Sequence, residues 1–278
     1  MRYWKQITSI VLALSVILFF NPFFAKAAVS ITNLTSGQDI DGGSGSVTAS
    51  VSPTSNALQL LQINSKTGIS VDPNQPTVTG NGLTWVAINS IVYDTTSSSR
   101  RRITLFRALG ASPSSETIAI DFGGQNQTDV LWSLEEATGI DTSGTNGSGA
   151  IVQSATNKDE TITTATLTVT LGAFSDINNA TFGAFANYGS PTGVTAGAGF
   201  TLLGNIEDSL NALHSSDEWK TANDTGVDLT FDQNSQMGGI AIEIKTASTP
   251  ATPPNGVKVI IQGGQKVIIQ GGVKFIGN

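Results

Sequence analysis

The stretch ATLTVTL, residues 165–171, sets the fold class. Successive residues of an extended chain point to opposite faces, so Leu167, Val169 and Leu171 share one side and three threonines the other. That is a half-buried strand with one wet face. The pattern recurs outward from this point. In GIAIEIK (239–245), Ile240, Ile242 and Ile244 point inward, and Ala241, Glu243 and Lys245 outward, with Glu243 and Lys245 expected at the surface. Over Val130 to Glu136, Val130, Trp132, Leu134 and Glu136 share a face, opposite Leu131, Ser133 and Glu135. Short β-branched runs separated by Gly, Asn, Asp, Ser and Pro continue from Ala57 to Lys245. This spacing predicts an all-β protein, an antiparallel β-sandwich or jelly roll of two packed layers. The best helical window, Ile206 to Lys220, is weakened by Asn211, His214, Ser215 and Ser216.

The ends of the chain read differently. Arg2 and Lys5 precede an apolar run from Ile7 to Phe20, and Ala25-Lys26-Ala27 forms a small-x-small cleavage site. Charge, apolar run and small residues in that order make residues 1–27 a secretory signal peptide, so the protein is expected to be secreted or held at the cell surface. Asn21 and Pro22 interrupt the run short of the ~20 apolar residues that a span requires, and no stable membrane span is expected after cleavage. Residues 28–246 form the sandwich domain and 247–256 a Thr/Pro linker. Residues 257–278 form a C-terminal β-repeat appendage, VKVIIQGGQKVIIQGGVKFIGN, with an eight-residue repeat. Gly263-Gly264 and Gly271-Gly272 suit two-residue turns of a three-stranded meander in which Gln262 faces Gln265 and Ile261 faces Lys266. Such a meander is apolar on both faces and must dock on something, and self-association through Val257 to Ile276 is expected.

Composition excludes several function classes. Without Arg2, Lys5 and Lys26 the chain carries 11 basic residues against 21 acidic, a net charge of −10. Nucleic acid is therefore not an expected partner, because no basic stripe exists to release counterions. The one basic run, Arg100-Arg101-Arg102, reads as a solvated turn. There is no cysteine, hence no disulfide staple and no thiolate chemistry. A cysteine-free chain rich in Thr, Ser and Gly looks bacterial, so the five sequons at Asn33, Asn126, Asn146, Asn179 and Asn223 carry no expectation of glycosylation. The single histidine, His214, lies in a polar, loop-like neighbourhood, and the chain has no G-x-S-x-G elbow. One histidine without cysteine does not make a zinc site.

The candidate sites are few. Asp141, Ser143, Thr145 and Asn146 alternate along the Gly-punctuated loop GIDTSGTNGSG and offer oxygen ligands for a structural Ca2+, although Val152 stands where an EF-hand would place its glutamate. Trp219 and Tyr188 are the aromatic residues in polar surroundings and the candidates for ligand stacking, whereas Trp85 and Trp132 sit inside strand patterns and read as core. Glu135 and Glu136 invite a glycosidase reading, but adjacent strand residues face opposite ways and cannot flank one bond. Glu136 is expected at a strand end or paired with an arginine such as Arg107.

Five segments carry a resemblance: GNGLTWVAI (80–88), RRITLFRA (101–108), TIAIDFGGQ (117–125), WSLEEATGIDTSGTNGSGAIVQ (132–153) and GGIAIEIK (238–245). Over roughly residues 55–245 the chain resembles a recurring, largely uncharacterised β-sandwich domain of secreted bacterial and phage-associated proteins, similar in architecture to lectin-like jelly rolls. The resemblance carries over no catalytic or ligand residues. The expected role is non-catalytic binding of carbohydrate or a surface protein. The rival is a secreted carbohydrate-active hydrolase using Asp121, Glu135 or Glu136.

Overall fold

The computed structural model describes residues 28–95, 98–189 and 193–248, and the backbone of 258–262 and 266–270. Residues 27–247 form one compact unit. Its first half contains β1 (Ser30–Asp39), β2 (Gly45–Val47), β3 (Leu58–Lys66), β4 (Thr77–Gly80), β5 (Leu83–Thr84), β6 (Val86–Asp94), β7 (Arg101–Ala108), β8 (Ile118–Asp121) and β9 (Asp129–Thr138). Its second half contains β10 (Ile151–Asp159), β11 (Thr166–Thr170), β12 (Ala180–Asn187), β13 (Val194–Ala196), β14 (Thr201–Asp208), β15 (Leu213–Lys220), β16 (Gly226–Phe231) and β17 (Met237–Ile244). The protein is an all-β, antiparallel sandwich, and the described residues contain no α-helix.

The strand order reveals a duplication. The first half builds a five-stranded sheet, β1-β9-β3-β7-β6, and a smaller one, β2-β8-β4-β5. The second half builds β10-β17-β12-β15-β14 and β11-β16-β13. Matched strand for strand, apart from the two-residue β5, these are the same path, a chain alternating between two sheets as in a jelly roll. The repeats also share the turn before their last strand: Phe122 and Gln127 in one, Phe231 and Gln236 in the other, each pair five residues apart. The domain expected to be one two-layered sandwich is thus two jelly rolls packed through their larger sheets.

Three cores hold four layers together. The central one joins Leu58, Leu60, Ile103 and Leu105 of the first large sheet to Phe182, Ala184, Ile240, Ile242 and Ile244 of the second. One outer core packs Trp132, Leu134 and Phe106 against Val78, Ile118 and Ile120. The other packs Leu167, Val169 and Leu171 against Phe185, Met237 and Ala241. The alternation in ATLTVTL therefore sorts its faces as expected. In GIAIEIK it errs on the far side, because the β11-β16-β13 sheet covers that face: Glu243 is fully buried, accepting hydrogen bonds from Asn179 Nδ2 (2.6 Å), Gln153 Nε2 (2.6 Å) and Ser175 N (2.9 Å). The helical window at Ile206–Lys220 is instead the end of β14, a turn, and β15. Its polar residues are satisfied across strands, which overrides a weak local propensity.

Residues 258–262 and 266–270 belong to a separate unit. There β18 (Lys258–Gln262) and β19 (Lys266–Gln270) pair antiparallel, with Gln262 opposite Lys266 and Ile261 opposite Val267. This corrects the expected register by one residue, since three residues, not two, connect the strands. The Gly263-Gly264 and Gly271-Gly272 turns and the third strand lie outside the described residues.

Candidate functional site

One end of the double jelly roll collects the loops that follow β1, β3, β6, β8, β10, β12, β14 and β16. The register shows it: Lys66 is opposite Asp129 and Arg101, and Asn187 opposite His214 and Met237. Ties between the halves occur here. Lys66 Nζ donates to Asn211 O (2.6 Å), Thr95 N to Glu160 Oε1 (3.0 Å), and the Arg101 guanidinium lies 3.7 Å over the Tyr188 ring. Arg101 is not part of the expected solvated turn. It is fully buried and paired with buried Asp94, because the second jelly roll closes over the start of β7. The other end of the unit is where its chain enters at β1 and leaves after β17.

A pocket of about 390 Å³ opens among these loops, lined by Ile162, Tyr188, Ala212, Gln233, Asn234, Gln236 and their neighbours. Among the described residues its lining carries no charged side chain. Amides, one aromatic ring and an apolar edge suit a neutral, hydrogen-bonding ligand. Exposed apolar side chains gather on loops at the same end: Ile69, Val71, Ile162 and Leu210, the last 85% exposed.

Of the two stacking candidates, only Tyr188 belongs to this site. Trp219 lies on β15, opposite Phe182, and packs half-buried against the central core. Six residues of strand separate Phe182 from Tyr188, about 20 Å at ~3.3 Å per residue, so the two rings form no common platform. The polar sequence around Trp219 suggests a loop, but it lies half-buried on a strand of the central layer. The loop with Asp141, Ser143, Thr145 and Asn146 is the connector between the jelly rolls. Asp141 pairs with Lys245 Nζ (2.7 Å) and accepts Ser143 N (2.8 Å), and these hold its carboxyl down at about 2. Thr145 N donates to Ser148 Oγ (3.0 Å), and Asn146 takes a positive φ of 52°. Among the described residues no three acidic or histidine side chains cluster as a metal site would need.

The carboxylates have unexpected partners. Glu135 and Glu136 do face opposite ways. Glu136 is paired with no arginine: it accepts Gln59 Nε2 (2.9 Å) and Thr54 N (2.6 Å) in a nearly closed position. Asp121 accepts Gly123 N (2.9 Å) on an exposed edge. Glu135 projects between the large sheets, where Ser133 Oγ and Asn33 Nδ2 (2.9 Å) donate to it. From the second jelly roll Asp217 meets it, and both are fully buried. With both ionised, neither Asp217 oxygen finds a donor, and a proton on one carboxyl supplies it. Burial pushes Glu135 up to about 7 and, with the adjacent Glu135 charge, pushes Asp217 well above the carboxylate range. A second pair, Asp129 and Asp208, spans the same interface; burial and the Asp208 charge raise Asp129 to about 8. Burial likewise raises Glu218, which accepts Gly197 N (2.8 Å), to about 8. His214 is 2% exposed on β15, bonded to Asn205 Oδ1 (2.6 Å) and edge-on to Phe231, not solvated in a loop. Sequence reasoning missed Asp217 and Asp129. The available signal was the run LHSSDEWK, too polar for a buried strand unless its groups are paired.

No family model matches this sequence, and none of the curated proteins is similar to it.

Proposed function

We propose that the protein is secreted and acts without catalysis, as a cell-surface protein that binds carbohydrate or a protein partner through the loop-end pocket beside Tyr188. The observation that carries this reading is the pocket itself: concave, uncharged, lined by amides around an aromatic ring, at the end opposite the chain's entry and exit. The position of the carboxylates supports the non-catalytic part. The close pairs, Glu135 with Asp217 and Asp129 with Asp208, are buried between the two jelly rolls, where no polysaccharide reaches them. The reading includes membership in the recurring secreted sandwich domain that its motifs resemble.

A glycan array and a panel of immobilised cell-surface proteins, probed with the mature chain, test it. Binding is expected, and Tyr188→Ala should reduce it at least tenfold at unchanged unfolding midpoint. Turnover of a polysaccharide panel that disappears in Glu135→Gln would establish the hydrolase instead.

Self-association is assigned to Val257–Ile276, whose β-branched, nearly uncharged strands pair readily with other chains. Truncation at Thr249 should lower the mass seen by light scattering while the unit 27–247 stays folded. Equal masses for the truncated and full mature chains would remove the segment from any such role.

A further inference from the structure

The two jelly rolls meet through one contact made twice. By the order of their paths, β1, β9, β7 and β6 of the first correspond to β10, β17, β15 and β14 of the second. In the assembled unit β6 and β7 lie over β10 and β17, while β14 and β15 lie over β1 and β9. The halves therefore face each other as the subunits of a twofold dimer do, through the same patch on both. The two copies of the contact differ in chemistry. The first is apolar: Tyr93, Ile103 and Leu105 pack on Ile240, Ile242 and Ile244. Charge at its loop end is matched, Arg101 to Asp94. The second is apolar only near the chain's entry, where Ile31, Ala137, Leu203 and Trp219 join the same core. Beyond them it sets Glu135 against Asp217 and then, at the loop end, Asp129 against Asp208.

These four buried carboxyls have no matching charge. Among the described residues none of them forms an ion pair. As carboxylates, neither oxygen of Asp217 has a donor, nor has Glu135 Oε2. Glu218 adds a like charge beside Asp217. The cation acting on Asp129 is Lys66, which is itself beside Arg101 and Asp94 and donates to Asn211 O (2.6 Å) across the contact. Two carboxylates facing each other away from water repel unless they share a proton. Between the two copies, Gln62 Nε2 donates to Phe185 O (2.9 Å) and Asn64 Nδ2 to His214 O (3.0 Å), and these bonds mark the border. We propose that the second copy of the contact is a pH-operated gate, shut while each carboxyl pair shares a proton and opened at the loop end when both pairs lose it. On opening, β14 and β15 lift from β1 and β9, the Lys66 tie to Asn211 is released, and water enters as far as Gln62 and Asn64. The apolar copy is the hinge and stays closed. Burial holds Glu135 up at about 7 and Asp129 at about 8, so acid shuts the gate and mildly alkaline solution opens it.

Hydroxyl-radical footprinting of the full mature chain at pH 5 and pH 9, with the dose normalised to a free reporter peptide, tests the gate. Leu131 and Leu213 are fully buried on the strand faces that carry Asp129 and Asp217. Their oxidation should rise at least fivefold at pH 9, while that of Ile103 and Ile240, in the hinge, stays level. An equal rise at all four positions would mean general loosening and overturns the gate, as does no rise at any. The double variant Asp129→Asn, Asp217→Asn removes one negative charge from each pair and should abolish the rise at Leu131 and Leu213. A rise that persists in the folded variant overturns the role of the pairs, and the result on the unaltered chain decides the gate whether or not the variant folds.

Discussion

Raising the pH from 5 to 8 should weaken the double jelly roll by about 3 kcal/mol or more. Four buried carboxyls carry the effect: Glu135, held up at about 7, Asp129 and Glu218 at about 8, and Asp217 well above its usual range. In each case desolvation of the charged form is the leading cause. Once unfolded they ionise near pH 4, so between pH 4 and 8 the folded chain binds more protons than the unfolded one. Stability then falls as pH rises, and levels off above the folded values. A tenfold difference in proton affinity between folded and unfolded chain is worth about 1.4 kcal/mol, so four such groups together have a large effect even after solvent screening reduces each. Asp141 acts oppositely: it is held at about 2, so its contribution is lost only as the pH falls from about 4 towards 2. Urea midpoints at pH 5 and 8 measure the difference. Asp217→Asn, which mimics the neutral acid, should be nearly silent at pH 5 and stabilising at pH 8. A midpoint that is level or rising between pH 5 and 8 would mean that the pairs do not keep their protons.

Trp132→Ala is expected to cost about 3–5 kcal/mol, the range for removing a large aromatic ring from a core. The indole is 5% exposed and fills the core between the first large sheet and its outer layer. Its packing is tight enough to require glycine across the strand pair: a Cβ at Gly37, which is opposite Trp132, would sit 2.4 Å from the ring. The cavity left by alanine is walled by two sheets and cannot collapse easily. Calorimetry or urea denaturation reads the change. A near-zero shift would place the ring at the surface and undo the face assignment of β9.

The duplication is present in the sequence but faint. Phe122 with Gln127, and Phe231 with Gln236, repeat at one spacing, yet the strands between them share little beyond alternation. Leu58 and Leu60 fill the central core from one jelly roll and Ala180 and Phe182 from the other; packing against a partner preserves total volume, not identity. The conspicuous repeat, at residues 257–276, is not the one that organises the fold. The pocket is half legible. Tyr188 stands out as an aromatic residue among polar neighbours, but Trp219 stands out for the same reason and is core. Polar composition alone does not separate a surface loop from a strand whose polar groups are paired across an interface.

The β class, the antiparallel alternation and the inward face of strands such as Leu167–Leu171 and Ile240–Ile244 are written in the local sequence. They follow from the two-residue period of an extended chain, a property of each segment alone. What covers the other face depends on the tertiary fold. Glu243, expected in water, is buried because an outer sheet lies over it. Glu135 and Asp217 meet because strands more than 80 residues apart in sequence face each other across two sheets. Burial depends on which distant segment arrives, and no local period encodes that.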